Sequence, residues 1–212
     1  MQQRTVAVRL YQWACRRLYH EFAWSYDTVA AAVSLGRWDA WRRAIVPLVD
    51  GDVVLELGCG TGALLPHLAA PGRTLLGLDV SPAILRRARA RVTDDVTGLL
   101  RGRAQSLPLP TASVDCIVAT FPAPYIVDLA TLAEVRRVLT PSGRLLIVGL
   151  WVAPQDWLRH VPLVYGRPDT ATLEALSARF AAAGLQLTWQ TMDVAGARLG
   201  VAVAQSGDQF YG

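Results

Sequence analysis

The chain has 212 residues, 52% of them hydrophobic, and a formal net charge of +4. This is enough to build one domain with a substantial core, alone or with a small extension. No apolar run reaches the roughly 18 residues of a membrane-spanning helix, the arginine-punctuated start lacks the apolar stretch and cleavage site of a secretory signal, and the surplus charge is too small and scattered to indicate nucleic acid.

Residues 1 to 45 form an opening segment rich in aromatics: Tyr11, Trp13, Tyr19, Phe22, Trp24, Tyr26, Trp38 and Trp41. Leu10, Ala14, Leu18 and Phe22 recur at helical spacing, while Arg9, Gln12, Arg16 and His20 fall on another face. The pattern predicts an amphipathic helix. It fits a helix packed on the main domain, a lid over a ligand site, or an interfacial helix lying on a membrane. A second, short helix is expected over Arg37 to Val49, with Pro47 near its end.

From Gly51 the chain alternates strands and helices. Val53–Leu57 reads as the first strand, Ala63–Ala70 as a short helix stopped by Pro71-Gly72, and Thr74–Leu78 as a second strand ending in Asp79. Ser81 is a natural N-cap with Pro82 at the first helical position, opening a helix to about Val92. Strands follow at Thr97–Gly102 and Val114–Thr120, then a helix over Leu129–Leu139 closed by Pro141-Ser142-Gly143 and a fifth strand over Arg144–Leu150. A helix over Thr172–Ala183 ends at Gly184, and Leu185–Gln190 and Val194–Ala204 complete seven strands. The fold class is α/β: a Rossmann-like doubly wound sheet, mostly parallel with an antiparallel closing strand, preceded by a helical segment at 1–45. In such sheets a ligand lies at the carboxyl ends of the strands, where the strand order reverses.

Val53-Val54-Leu55-Glu56-Leu57-Gly58-Cys59-Gly60-Thr61-Gly62 is the most informative stretch at those ends. Glycines at alternate positions suit a turn that needs positive φ or close approach of a ligand to backbone. A dinucleotide turn requires G-x-G-x-x-G, and here the third glycine comes one position early. A phosphate loop requires Gly-Lys-Ser/Thr, and all the basic residues of this chain are arginine. Asp79, ending the second strand, is placed to accept hydrogen bonds from both hydroxyls of a ribose. The three cysteines (Cys15, Cys59, Cys116) are odd in number and widely spaced, which suits a reducing cytoplasm better than a disulfide framework. No Cys/His cluster has metal-ligand spacing.

Five segments in order resemble one family. They are Glu56–Gly62, Gly77-Leu78-Asp79-Val80-Ser81, Ala104-Gln105-Ser106-Leu107-Pro108-Leu109, Val114-Asp115-Cys116-Ile117-Val118, and the run from Leu132 to Arg144. Together they resemble the class I S-adenosylmethionine-dependent methyltransferases, in the broad group that acts on quinones and phospholipids. The resemblance covers about residues 50 to 150. It implies that Gly58, Cys59, Gly60 and Gly62 pass close to the methionine part of S-adenosylmethionine, and that Glu56 helps hold its amino group. It also implies that Asp79 takes the ribose hydroxyls, Val80 packs on adenine, Ala104 and Gln105 border the ring, and Thr120 faces the reacting methyl. Tyr26, in Ala23-Trp24-Ser25-Tyr26-Asp27, resembles the lid tyrosine of this group. One departure is Arg103, where the third motif often carries Asp.

A methyl transferred from a sulfonium moves by in-line displacement, so a base is required only when the acceptor must first lose a proton. His20, Tyr19, Tyr125, His160 and Tyr165 fall near the expected rim, and His67 inside a helix. Thr120-Phe121-Pro122-Ala123-Pro124-Tyr125 lacks the polar first residue and adjacent prolines of the Asn/Asp-Pro-Pro-Tyr loop that grips an extruded base. The expected acceptor is therefore a small molecule or lipid, a phospholipid amine or quinone being favoured by resemblance. The other reading is a non-catalytic protein that binds S-adenosylmethionine or S-adenosylhomocysteine and keeps the fold.

Overall fold

The computed structural model describes residues 34–92, 97–155 and 166–207. Both the amphipathic helix expected near the start and Tyr26 lie outside these residues, as do Tyr19, His20, His160 and Tyr165.

The described residues form a seven-stranded sheet in the order β3-β2-β1-β4-β5-β7-β6. The strands are β1 (Val53–Leu57), β2 (Thr74–Asp79), β3 (Thr97–Arg101), β4 (Val114–Thr120), β5 (Leu139–Pro154), β6 (Leu185–Val194) and β7 (Ala197–Ser206). β1 pairs in parallel with β2 on one side and β4 on the other. The order therefore reverses between β1 and β4, as the alternation of elements predicts. β7 runs antiparallel to both β5 and β6. The central strands are nearly continuous apolar runs because helices cover both faces. Leu55, Ile117 and Ala119 belong to one buried cluster, and Val54, Cys116 and Val118 to the other.

The helices are α1 (Trp38–Arg43), α2 (Leu65–Leu68), α3 (Pro82–Arg91), α4 (Leu129–Val138) and α5 (Thr170–Ala181). The expected helix over Arg37 to Val49 is broken. α1 stops at Arg43, and Val46–Leu48 form a 3-10 turn with Pro47 in its first positions. Ser81 caps α3 as expected, its hydroxyl accepting from the N–H of Ile84 at 3.4 Å. Asp128 and Asp169 cap α4 and α5 through the N–H groups of Ala130 and Thr172. Among the described residues no helix is long and apolar enough to cross a membrane.

Three side chains fix the entry to β1. Asp115 Oδ2 accepts from the N–H groups of Asp52 and Val53 at 3.1 and 3.0 Å. Arg73 donates to the carbonyls of Gly51 and Leu68. Arg144 donates to Leu48 O at 2.7 Å and pairs with Asp50. Asp115 belongs to the fourth motif, yet it works at the amino ends of the strands, away from the ligand-binding ends.

Candidate active site

β1 leaves the core at Gly58 and turns at once. Gly58, Gly60 and Gly62 all have positive φ, at 76°, 54° and 73°, a backbone that side chains with a Cβ rarely adopt. Each glycine also meets a different surrounding. A Cβ on Gly58 would run into the Tyr125 hydroxyl, and one on Gly62 would lie 3.0 Å from Ala88 Cβ of α3. A Cβ on Gly60 would meet nothing within 4 Å, so this is the open position of the turn. The N–H groups of Gly58 and Cys59 both donate to Leu78 O, at 2.8 and 2.9 Å, which ties the turn to β2.

Asp79 organises the same corner. Its Oδ2 accepts from Gly60 N–H at 3.1 Å and its Oδ1 from Ser81 N–H at 2.8 Å. Each carboxylate oxygen has further acceptor capacity. Val80, beside it, is an apolar side chain left 60% exposed.

Glu56 lies two residues before the turn, and only 2% of its surface is exposed. Its Oε2 is buried with no hydrogen-bond partner. Burial pushes its pKa up to about 8; the negative charge of Asp79 adds to that shift and the guanidinium of Arg42 opposes it. A buried carboxyl with an unpartnered oxygen is costly unless that oxygen meets a donor or a cation. The neighbouring Cys59 thiol is also buried, and its pKa is raised, chiefly by desolvation.

The third-motif loop is held from α4. Glu134 Oε2 accepts from Leu107 N–H at 2.6 Å, and Glu134 pairs with Arg137 at 2.7 Å. Arg137 in turn donates to the carbonyls of Leu107 and Leu109. That pairing holds the Glu134 carboxyl below its usual range. The spacing Glu134-x-x-Arg137 was visible in the sequence, but its partners are about 27 residues away along the chain. Ala104 is buried beside this loop, and Gln105 donates its amide to Asp128 Oδ2 at 3.3 Å. Arg103 is exposed.

Beyond β4, Thr120 is half-buried and Phe121 follows with φ +46°. A 3-10 turn over Pro124–Val127 then sends the Tyr125 hydroxyl back to Leu57 O at 3.1 Å. The structure thus brings Glu56, Gly58, Cys59, Gly60, Gly62 and Asp79 into one corner. Thr120 lies on the adjacent strand end and Ala104 and Gln105 on the loop after β3. His67 sits exposed in the last turn of α2.

Residues 55–147 match the model of the methyltransferase-domain family. The chain is 32% identical over 140 residues to the demethylmenaquinone methyltransferase of Symbiobacterium thermophilum, covering 61% of this chain and 56% of that one. It is 36% identical over 140 residues to the enzyme of the same name from Lactiplantibacillus plantarum, covering 60% and 59%. The chain thus spans under two thirds of the length of these curated relatives. A SAM-dependent methyltransferase structure from Aquifex aeolicus superposes with a TM-score of 0.59 at 22% identity, over 79% of this chain and 92% of that one. The turn after β1, Asp79, the strand order and these matches converge: residues 55–147 match the methyltransferase-domain family, and the fold is like that of the S-adenosylmethionine-dependent methyltransferase structure.

Proposed function

We propose that the chain transfers a methyl group from S-adenosylmethionine to a quinone-type small molecule. The observation that carries the cofactor reading is Glu56 Oε2, buried and unpartnered two residues before a glycine turn whose middle position is open. An amino acid ammonium is a group of the right charge to satisfy it. Around it, the turn at Gly58, Cys59, Gly60 and Gly62 gives the methionine part a close backbone surface. Asp79 keeps acceptor capacity for two ribose hydroxyls, and exposed Val80 offers an apolar face to adenine. Ala104 and Gln105 border the ring from the loop after β3. Gln105 already donates to Asp128, which leaves its amide oxygen to accept from the adenine amino group. This compensates for Arg103 in place of the usual Asp.

The bound cofactor supplies an electrophilic methyl on a sulfonium. The protein's part is to align the acceptor with it and to exclude water. Thr120 and the loop after it stand at the carboxyl end of β4, beside the glycine turn. Tyr125 is committed to Leu57 O and to the space beside Gly58, so it holds the turn rather than acting as a base. The acceptor class is supported by the named activity of the relatives at 32% and 36% identity. A quinone-like acceptor would reside in a membrane. Contact with an anionic bilayer, through the opening segment, belongs to this reading and is checked by co-sedimentation with anionic vesicles.

The test is calorimetric titration with S-adenosylhomocysteine. Wild type binds; Asp79→Ala binds at least about tenfold more weakly, because hydrogen bonds to a charged group contribute about 1.5–3 kcal/mol. Wild-type affinity in the variant would displace the ribose from Asp79. Absence of binding to the wild-type chain would remove the cofactor reading altogether. Binding without methyl transfer to any quinol or other acceptor would leave the non-catalytic alternative.

A further inference from the structure

Phe121 is the first residue past β4, and its backbone is left-handed, with φ +46°. A bulky side chain rarely adopts that conformation, and it persists only where its surroundings over-determine it. Three contacts do so here. Its N–H donates to Val148 O at 2.7 Å. Its ring fills the space that a Cβ on Gly149, itself at φ +87°, would need. Its other neighbour is the Trp38 ring of α1, with centroids 3.9 Å apart and planes tilted by 34°. Both rings nevertheless stay partly exposed.

These contacts hold the backbone in place and pack both rings against the core, yet they leave part of each ring uncovered. The pair stands at the carboxyl end of β4, and β4 is the immediate neighbour of β1, whose end carries the glycine turn. That is the side from which an acceptor must approach a methyl held over the turn. We infer that Phe121 and Trp38 form an aromatic wall against which a flat, aromatic acceptor stacks, so that Phe121 is a specificity-determining residue for the acceptor. The inference rests on the methyltransferase reading above and makes it more specific: the acceptor presents a planar ring face here.

The probe is 2-methyl-1,4-naphthoquinone, added to the chain saturated with S-adenosylhomocysteine and followed by calorimetry and by quenching of tryptophan fluorescence. Phe121→Ala should weaken probe binding by about tenfold, the worth of one aromatic stacking partner with its buried area. Its affinity for S-adenosylhomocysteine should stay within about twofold of wild type, and Phe121→Tyr should keep both affinities. Phe121→Gly relieves the backbone and serves in case the alanine variant folds poorly; the same loss of probe binding is expected. In Trp38→Ala, part of the quenching by the probe should disappear. Wild-type probe affinity in Phe121→Ala or Phe121→Gly overturns the inference and leaves the methyltransferase reading intact. Equal loss of probe and S-adenosylhomocysteine binding in both also overturns it, since Phe121 would then only hold the fold. A wild-type chain that binds S-adenosylhomocysteine but not the naphthoquinone removes the quinone reading, and the inference with it.

Discussion

Glu56 is buried next to a carboxylate and near a guanidinium, and its protonation couples folding to ligand binding. Its ordinary pKa of 4.5 rises to about 8 in the folded chain. The folded state therefore holds this proton more tightly than the unfolded state does. By linkage, the contribution of Glu56 to stability is fully present below its unfolded pKa of 4.5, falls as pH rises, and is lost above about 8. Glu56→Gln should flatten that slope, and thermal melts across this range check it. A cationic ligand group placed on Glu56 must expel the proton near neutral pH. Wild-type affinity for S-adenosylhomocysteine should then rise with pH towards about 8, with proton release visible as a buffer-dependent heat. Glu56→Gln should bind more weakly and without that release. An unchanged heat in buffers of different ionisation enthalpy would place the ammonium elsewhere. Glu56 and Asp79 were legible from sequence because each ends an apolar strand beside a turn signal. Tyr125 was not legible in its present role: only the fold brings it, across 68 positions, to Leu57 O.

Elements were read well in kind and less well at their ends, for local reasons. The helix expected over Ala63–Ala70 is only Leu65–Leu68. Gly62 N–H closes back on Cys59 O at 2.9 Å, so the glycine turn uses residues that periodicity assigned to the helix. Pro66 was the available signal, since proline belongs in a first turn. The fifth strand was expected over Arg144–Leu150, yet it runs from Leu139 to Pro154. Its pairing shifts register twice, between the Val114 and Cys116 pairs with β4 and between Val148 and Val152 against β7. Pro141-Ser142-Gly143 therefore lies in an irregularity within the strand, and turn residues alone do not distinguish such an interruption from an end. The β6–β7 hairpin turns on Ala195 and Gly196, with φ of 46° and 72°. Two positive values at a two-residue connection are the geometry that Asn-Gly serves best. Ala195→Asn should stabilise the chain by roughly 0.5–1 kcal/mol, because alanine is strained there and asparagine tolerates the conformation. Thermal unfolding checks this, and a lower midpoint would mean that the hairpin is not held in this turn.

At the scale of the molecule, a doubly wound, mostly parallel sheet was expected from the alternation of helices and strands, but the docking of α1 was not. Its six residues are too short to announce a partner. The sheet order gathers late strands beside early ones, and α1 meets three distant segments through residues spaced three and four apart. Trp38 stacks on Phe121 after β4, Trp41 is fully buried and donates its indole N–H to Val194 O at 3.1 Å, and Arg42 acts on Glu56 at the end of β1. The Trp41 bond spans 153 positions, so no periodicity could report it. Trp41→Ala removes a fully buried ring and should destabilise the chain by about 3–5 kcal/mol. Trp41→Phe keeps most of the packing but leaves Val194 O without its donor, and should cost about 1–3 kcal/mol. Urea unfolding at fixed pH measures both. The ratio separates packing from hydrogen bonding: a phenylalanine variant as unstable as the alanine variant would assign the docking of α1 to that single hydrogen bond. If both losses stay under about 0.5 kcal/mol, the range of ordinary surface substitutions, α1 is not seated on the sheet in solution. The aromatic wall at Phe121 and the charge beside Glu56 would then lose their common support.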